Sequence, residues 1–438
     1  SKDFQVLIRK EALGEQSEEG DTLSKILSRF GFEWESYSDY GHMRYRPLAA
    51  QLFDTVVEYS RYVCRKIGLP IFEVKGTAFF DLEIPAVKEH AKLYGDRLYR
   101  IETDKGEFVL RYAACHQQFA MIREWVISKK DLPFGALEIA DSYRYEQRGE
   151  TTLSFRLRRF FMPDLHIFVE DEENAKKLSF RVHDVIVGVA SELGRTYDLL
   201  INVVNKETYN AYKPYILEIV RRNGKPALVA IYPTTGANYY WTINVEYIII
   251  DSSSRPREIG TFQIDIGNAK RFGITYLDEN THKYPTILHI ATIGSVERYT
   301  YMLMDTAARM ERPVLPFWAA PIQVRILPVA GEQMDFAKRL HEEITSKGIR
   351  ADIDDTDVTL AKKIRLAERL WIPLIIIVGK KEQENGILTI RDRYSLSEKK
   401  MSVKELVDFI EKLQGDKPRK KMYFPELVSR QGPMLTNL

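Results

Sequence analysis

One thiol and two imidazoles, Cys115, His166 and His289, are the side chains of this sequence best suited to hold a metal ion. A thiolate with two neutral imidazoles makes a zinc site with three protein ligands and one position left open for substrate. Each lies near arginines that could hold phosphate. Cys115 follows Arg111 in Arg111-Tyr112-Ala113-Ala114-Cys115. His166 closes a basic run from Tyr143 that carries Arg144, Glu146, Arg156, Arg158, Arg159, Phe160 and Asp164. His289 opens a segment that reaches Gly294, Ser295 and Arg298. Guanidinium forks match phosphate oxygens bidentately. A carboxylate beside them can accept from an adenine amino group, and a phenyl ring can stack on the base. Singly, each feature has a plainer explanation. A histidine in an apolar strand such as Leu165-His166-Ile167-Phe168 is more often a hydrogen-bonded core residue, Cys115 alone an inert buried thiol, and the arginine run a solvated hairpin. His116 is a decoy on this reading, because adjacent strand residues point to opposite faces.

The scaffold that must position these residues is long enough, at 438 residues, for two or three domains. With 64 basic and 62 acidic residues the net charge is +2, so any RNA must be met by local patches rather than by global charge. Two cysteines, Cys64 and Cys115, are too few for a disulfide framework and fit a reducing compartment. The first residues lack the apolar core of a secretory signal. The greasiest run, Leu370 to Gly379, falls short of the roughly 20 residues needed to span a bilayer. A cytoplasmic protein is the expectation.

Residues 1–44 read as a short, polar N-terminal segment. Leu48, Leu52, Val56 and Tyr59 recur at helical spacing, and the pattern ends near Gly68. A second helix is expected within Phe168–Leu193, with Ala175, Leu178, Val182, Val185 and Val189 on one face. Short strands then dominate, including 227–232, 242–250 and 258–265. Strands in such succession argue against a doubly wound parallel sheet and for a largely antiparallel sheet flanked by helices, an α+β arrangement. Beyond Pro321 strands and helices alternate, as in a smaller α/β domain: a strand from Gln323, a helix through Phe336, Leu340 and Ile344, strands at 351–353 and 374–378, a hairpin at Asn385-Gly386, and a last helix at 403–413. Boundaries follow at 45–318 for a catalytic domain, 319–415 for the second domain, and 416–438 for a basic tail.

Tyr143-Arg144-Tyr145-Glu146 resembles the second signature motif of class II aminoacyl-tRNA synthetases, and Gly294-Ser295-Val296-Glu297-Arg298 resembles their third. With Cys115, Asp164-Leu165-His166 and His289, the chain is similar to the threonyl-tRNA synthetase family over residues 45 to 415. The resemblance implies ATP-dependent ligation of threonine to tRNA(Thr) through a threonyl-adenylate, one Zn2+ per chain on Cys115, His166 and His289, Mg2+ with ATP, and a homodimer. It implies that Arg144 and Arg298 are catalytic. Arg144 would bind the α-phosphate and the amino-acid carboxylate, Glu146 would read adenine, Phe160 would stack on it, and Arg156 and Arg298 would grip the outer phosphates. Glu258 and Gln263 would line the nucleotide site, Asp164 would accept from the substrate hydroxyl, and Tyr239 would sit near its amino group. In the second domain Lys363, Arg365, Trp371, Glu382 and Arg391 fall at positions implicated in anticodon contact, with Trp371 in place of an arginine and able to stack on a base. Thr77 stands where the first motif centres on a proline, and Met162 and Glu258 stand where the family often has glutamine. The segment ahead of the core is too short for the family's proofreading module, so a separate protein that clears seryl-tRNA in trans is expected. The rival reading is a catalytically inactive paralogue that binds RNA or regulates translation.

Overall fold

A computed structural model describes residues 1–15, 22–232 and 240–434. Two compact units divide them. The first holds described residues 1–15, 35–42, 63–232 and 240–302, and the second holds 22–34, 43–62 and 303–434.

An eight-stranded sheet organises the first unit. Its strands run, across the sheet, Ala227–Ile231, Asp198–Val203, Ile243–Ile250, Pro256–Asp265, Thr286–Ala291, Arg159–Val169, Phe134–Tyr143 and Ile71–Glu73. Only the two edge strands pair in parallel, with all interior pairings antiparallel. Isoleucine, valine and aromatic residues fit this pleated, buried surface. The helix Glu172–Ser191 covers one face. Asp171 caps it by accepting from the Asn174 amide, and it packs on Pro256–Asp265 and Thr286–Ala291. Its buried stripe is Ala175, Ser179, Val182, Ile186 and Val189, while Leu178 and Val185 are only half-buried. The opposite face of the sheet is the one that carries chemistry.

The helix Lys206–Asn223 has no counterpart in the sequence expectations. Its signals were present: Asn205 caps its start, Gly224 ends it in the left-handed region, and Tyr212, Tyr215, Ile216 and Ile219 form its buried stripe. Pro214, inside the helix, masks the pattern. The N-terminal stretch is also more structured than its polarity suggests, with helices at Lys2–Leu7 and Thr22–Phe30.

The second unit centres on a five-stranded sheet in the order Ala351–Ile353, Val324–Pro328, Leu374–Val378, Ile387–Asp392, Ser397–Ser402. The first three strands are parallel and the last two antiparallel additions. Helices Met334–Ser346 and Val403–Gln414 bury Leu340, Ile344, Leu406 and Ile410 in its core. Asn385-Gly386 is not the hairpin turn. Gly386, at φ 66°, closes the short helix Lys380–Asn385, and the hairpin turns instead between Asp392 and Ser397. An asparagine-glycine pair suits a left-handed helix stop as well as a type I′ turn, and a one-turn helix hides easily in a polar run. No helix among the described residues is long and apolar enough to cross a membrane.

Candidate metal centre and nucleotide cleft

Cross-strand register puts polar side chains in a row across the middle of the first unit's sheet. Asn202 faces Asn244, Asn244 faces Gln263, Gln263 faces His289, His289 faces His166, and His166 faces Ala136. Directly paired residues share a face, so one row carries both imidazoles and the groups beside them. The period-two alternation of Arg159–Val169 adds Phe160, Met162 and Asp164 to that face, and all line one cleft of about 310 Å³. Gly260 points the other way, where an added Cβ would lie 3.1 Å from Ile186 of the covering helix.

Cys115 enters from outside the sheet, as the first residue of the helix Cys115–Ile122. Arg111 fixes this junction. Its guanidinium pairs with the buried Glu138 carboxylate at 2.5 Å and donates to the Ala114 carbonyl at 3.3 Å. The strand Gly106–Leu110 ends before Cys115, which is helical. His116 is turned away by helical rotation, not by strand alternation. It packs on His90 and Phe272.

The ligand atoms of Cys115, His166 and His289 lie within 4.8 Å of one another, all on buried residues. Both imidazoles are oriented from behind. Gln118 donates from Nε2 to the Asp164 carbonyl at 3.1 Å, which turns its Oε1 to His166 Nδ1 at 2.9 Å. Asp265 Oδ2 takes His289 Nε2 at 2.7 Å. With these outer nitrogens protonated as donors, the inner ones, His166 Nε2 and His289 Nδ1, face each other as lone pairs 3.0 Å apart. Such an arrangement needs a cation or a proton between them. Burial pushes the Cys115 thiol well above its usual range and pushes His166 well below. Neutral imidazoles suit a metal directly, and a divalent cation reverses the thiol's preference. The donor set fits zinc, with Asp164 Oδ2 only 3.7 Å from His166 Nε2. Burial raises the Asp164 carboxyl to about 7.

On the phosphate side, Arg144 lies between two rings, its guanidinium carbon 5.2 Å from the centroids of both Tyr94 and Phe160. Arg144 Nε donates to the Tyr112 carbonyl at 3.1 Å, and no bond to its outer amino groups is made by a described residue. Arg298 pairs with Glu258 at 2.8 Å and lies over Phe155. Its position depends on Gly294, at φ 70°, where a Cβ would fall 1.9 Å from the Ile259 carbonyl oxygen. Only glycine allows that approach.

The sequence-derived residues are thus only partly assembled as expected. Arg144, Glu146, Arg156, Phe160, Asp164, Glu258, Gln263 and Arg298 all line the cleft. Glu146, however, is held by Arg97 at 2.8 Å and Arg156 at 2.9 Å. Arg158 is structural: it is buried and grips the Glu146 carbonyl and Asp39. Arg159 is exposed and pairs with Asp141. Tyr239 lies outside the described residues. Its neighbour Tyr240 lines the cleft, 5.0 Å between ring centroids from His289. Also missed were Tyr94, Phe155, Asn244 and Glu246. Burial, with Glu258 adding, raises Glu246 to about 8. Alternation on Ile243–Ile250 and Pro256–Asp265 would have found Asn244 and Glu246, since polar residues in otherwise apolar strands mark a working face.

In the second unit the five expected anticodon residues differ in availability. Arg365 is exposed. Arg391 is shared by Glu368 and Glu398, each at 3.3 Å. Glu382 caps its own helix, accepting from the Gly379 amide and Thr389. Lys363 is buried and donates to the carbonyls of Asp354 and Pro328. Trp371 is 4% exposed, against Phe30 with ring centroids 4.9 Å apart, which argues against the expected base stacking there.

Residues 99–307 match the family model of the tRNA synthetase class II core domain (G, H, P, S and T), and residues 323–413 match the anticodon binding domain. A threonine–tRNA ligase of Pyrobaculum islandicum is 49% identical over 437 residues, covering 98% of this chain and 71% of that protein. One of Nanoarchaeum equitans is 48% identical, covering 98% and 68%. Among solved structures, the RNA binding domain of threonyl-tRNA synthetase from Cryptosporidium parvum superposes with a TM-score of 0.79 at 22% identity, over 90% of this chain and 98% of that one. Prolyl-tRNA synthetase from the same organism shares the fold at a TM-score of 0.67 and 16% identity, over 90% and 77%. The chain belongs to the threonine–tRNA ligase family of class II aminoacyl-tRNA synthetases.

Proposed function

We propose that this protein joins L-threonine to tRNA(Thr) in two steps, through a threonyl-adenylate made from ATP with Mg2+. The observation that carries the amino-acid choice is the pair of imidazoles whose outer nitrogens are tied to Gln118 and Asp265 while their inner nitrogens converge with Cys115. Zinc held there would supply a Lewis-acid position for the amino group and hydroxyl of the substrate. Asp164, beside it, would accept from that hydroxyl, and the family resemblance assigns Tyr239 to the amino group. Arg144 reaches the reacting centre from its seat between Tyr94 and Phe160, where it binds the carboxylate and the α-phosphate. A carboxylate oxygen attacks the α-phosphorus and pyrophosphate leaves. Arg144 and Arg298 hold the charge that accumulates there. Arg156 takes an outer phosphate with Arg298. Glu146 then turns from Arg97 and Arg156 to the adenine amino group, and Phe160 from Arg144 to the base, with Gln263 and Glu258 along the ribose and phosphate edge. The terminal ribose hydroxyl of tRNA next attacks the carbonyl, and AMP departs.

The domain limits proposed for this work are 45–318 for catalysis and 319–415 for anticodon reading, where Arg365 and Arg391 are the base-contacting candidates. A homodimer is proposed through the sheet edge at Ile71–Glu73, next to Thr77. Phe72 there is 53% exposed, on a strand with one strand partner among the described residues, and an exposed apolar side chain at a sheet edge favours pairing.

Substrate selection supplies the test. Valine offers no hydroxyl, and leaving a buried polar site unmatched supports discrimination on the order of 10⁴ or more. Serine lacks only a methyl, worth roughly 10–200-fold. Purified protein with zinc, ATP and each amino acid in turn should therefore show pyrophosphate exchange in the order threonine, serine, valine, with those spacings in kcat/KM. Valine within about a hundredfold of threonine would contradict the reading. Serine so activated would reach tRNA, and its removal is assigned to a hydrolytic activity apart from this cleft.

A further inference from the structure

Basic side chains of the second unit differ in how their charge is answered. Near the C-terminus Lys417 pairs with Asp416, Arg419 with Glu411, and Lys420 lies 3.9 Å from Glu58. That basic run is largely neutralised. Arg391 is likewise shared by two carboxylates. Four other arginines, Arg29, Arg312, Arg369 and Arg393, form no ion pair with a described residue. They are tied together by position. Arg393 donates from Nε to the Pro313 carbonyl at 2.7 Å, which sets it beside Arg312, and both line a cleft of about 70 Å³ whose carboxylates, Glu368, Asp392 and Glu398, pair with Arg391 and Lys399. Arg29 lies over Trp371, its guanidinium carbon 5.3 Å from the ring centroid, and its Nε is buried without an acceptor. Trp371, at φ 56°, turns just beyond the helix Leu360–Arg369, whose last residue is Arg369. Burial, with Arg369 adding, lowers Arg29, and burial lowers Arg393 against the opposing charge of Glu368 and with Arg312 and Arg29 adding, so the guanidinium groups feel one another.

We propose that Arg29, Arg312, Arg369 and Arg393 form a phosphate-binding strip for the backbone of RNA. Arginine forks suit phosphate oxygens, and a site with several unanswered guanidinium groups gains most when polyanion displaces their counterions. The strip continues the helix face of Arg365, which is exposed one turn before Arg369. It rests on the tRNA-binding reading above, and it gives Trp371 a role as the support under Arg29 rather than as a base platform. Such contacts position RNA without reading its sequence.

The test uses Arg312→Glu/Arg369→Glu, both exposed and without an ion pair to a described residue, so that the fold is spared. Binding of a threonine tRNA transcript is followed by fluorescence anisotropy from roughly 50 to 200 mM salt. The double variant should bind about tenfold or more weakly, and its slope of log affinity against log salt should be shallower by about 1.4–1.8, at 0.7–0.9 for each lost phosphate contact. Lys404→Glu/Lys412→Glu, the same charge change on exposed residues of the Val403–Gln414 helix, should leave the slope as in the wild type. An unchanged slope and affinity in the arginine variant, or an equal loss in the lysine variant, would overturn the strip. Threonine-dependent pyrophosphate exchange is read on the same preparations and should be equal in all three. Its absence from the wild type would remove the ligase reading, while the RNA titration still judges the strip.

Discussion

Replacing Cys115 by alanine is expected to abolish metal binding and threonine activation together. Two imidazoles remain, yet their convergent nitrogens lose the thiolate that completes the donor set. Loss of a hydrogen bond that orients a ligand typically costs about 10–100-fold in metal affinity, so loss of a ligand should exceed about 100-fold. Asp265→Asn tests the milder case, because an amide at that position accepts more weakly from His289 Nε2. His116→Ala should keep full zinc stoichiometry despite lost packing, since the ring of His116 sits against His90 and Phe272. Metal analysis after dialysis, paired with exchange assays, reads all three variants. Zinc retained at full occupancy in Cys115→Ala would refute the site.

Arg144→Ala should slow adenylate formation by about 10²–10³ while leaving the fold intact. The guanidinium is placed by two aromatic faces and one carbonyl, and no ion pair among the described residues depends on it. Its loss removes donors aimed at charge that develops during anhydride formation. Arg144→Lys should recover little, because an ammonium cannot span phosphate and carboxylate as a fork does. Rapid-quench measurement of enzyme-bound threonyl-AMP is the readout, with the melting temperature as control. Adenylate formed at the wild-type rate by Arg144→Ala would exclude the role.

The convergence of Cys115, His166 and His289 was legible because the chemistry proposed for them demands rare side chains: with two cysteines in the chain, Cys115 stands out. Strand alternation carries His166, Asp164, Met162 and Phe160 to one face, a placement the sequence reading did not draw. The orienting partners were not legible. Asp265 reaches His289 from the adjacent strand and Gln118 reaches His166 from a helix, and such pairings depend on register that no local pattern reveals. Ion pairing was equally hidden. Nothing in Arg156-Leu157-Arg158-Arg159 says that Arg158 is buried beneath the loop while Arg159 faces solvent. Trp371 shows the limit from another side: its place in a family pattern suggested a base contact, whereas its partner Phe30 belongs to a helix more than three hundred residues earlier.

Selection of threonine through a zinc ion held by Cys115, His166 and His289 is the proposal on which the two-step reaction depends. The direct measurement is single-turnover formation of aminoacyl-adenylate by protein stripped with a chelator and by the same protein reloaded with one equivalent of zinc. With threonine, the reloaded protein should form adenylate and the stripped protein should not, while ATP binding alone stays equal in both. Adenylate formed from threonine at the same rate without metal, or from valine as readily as from threonine with it, would contradict the claim.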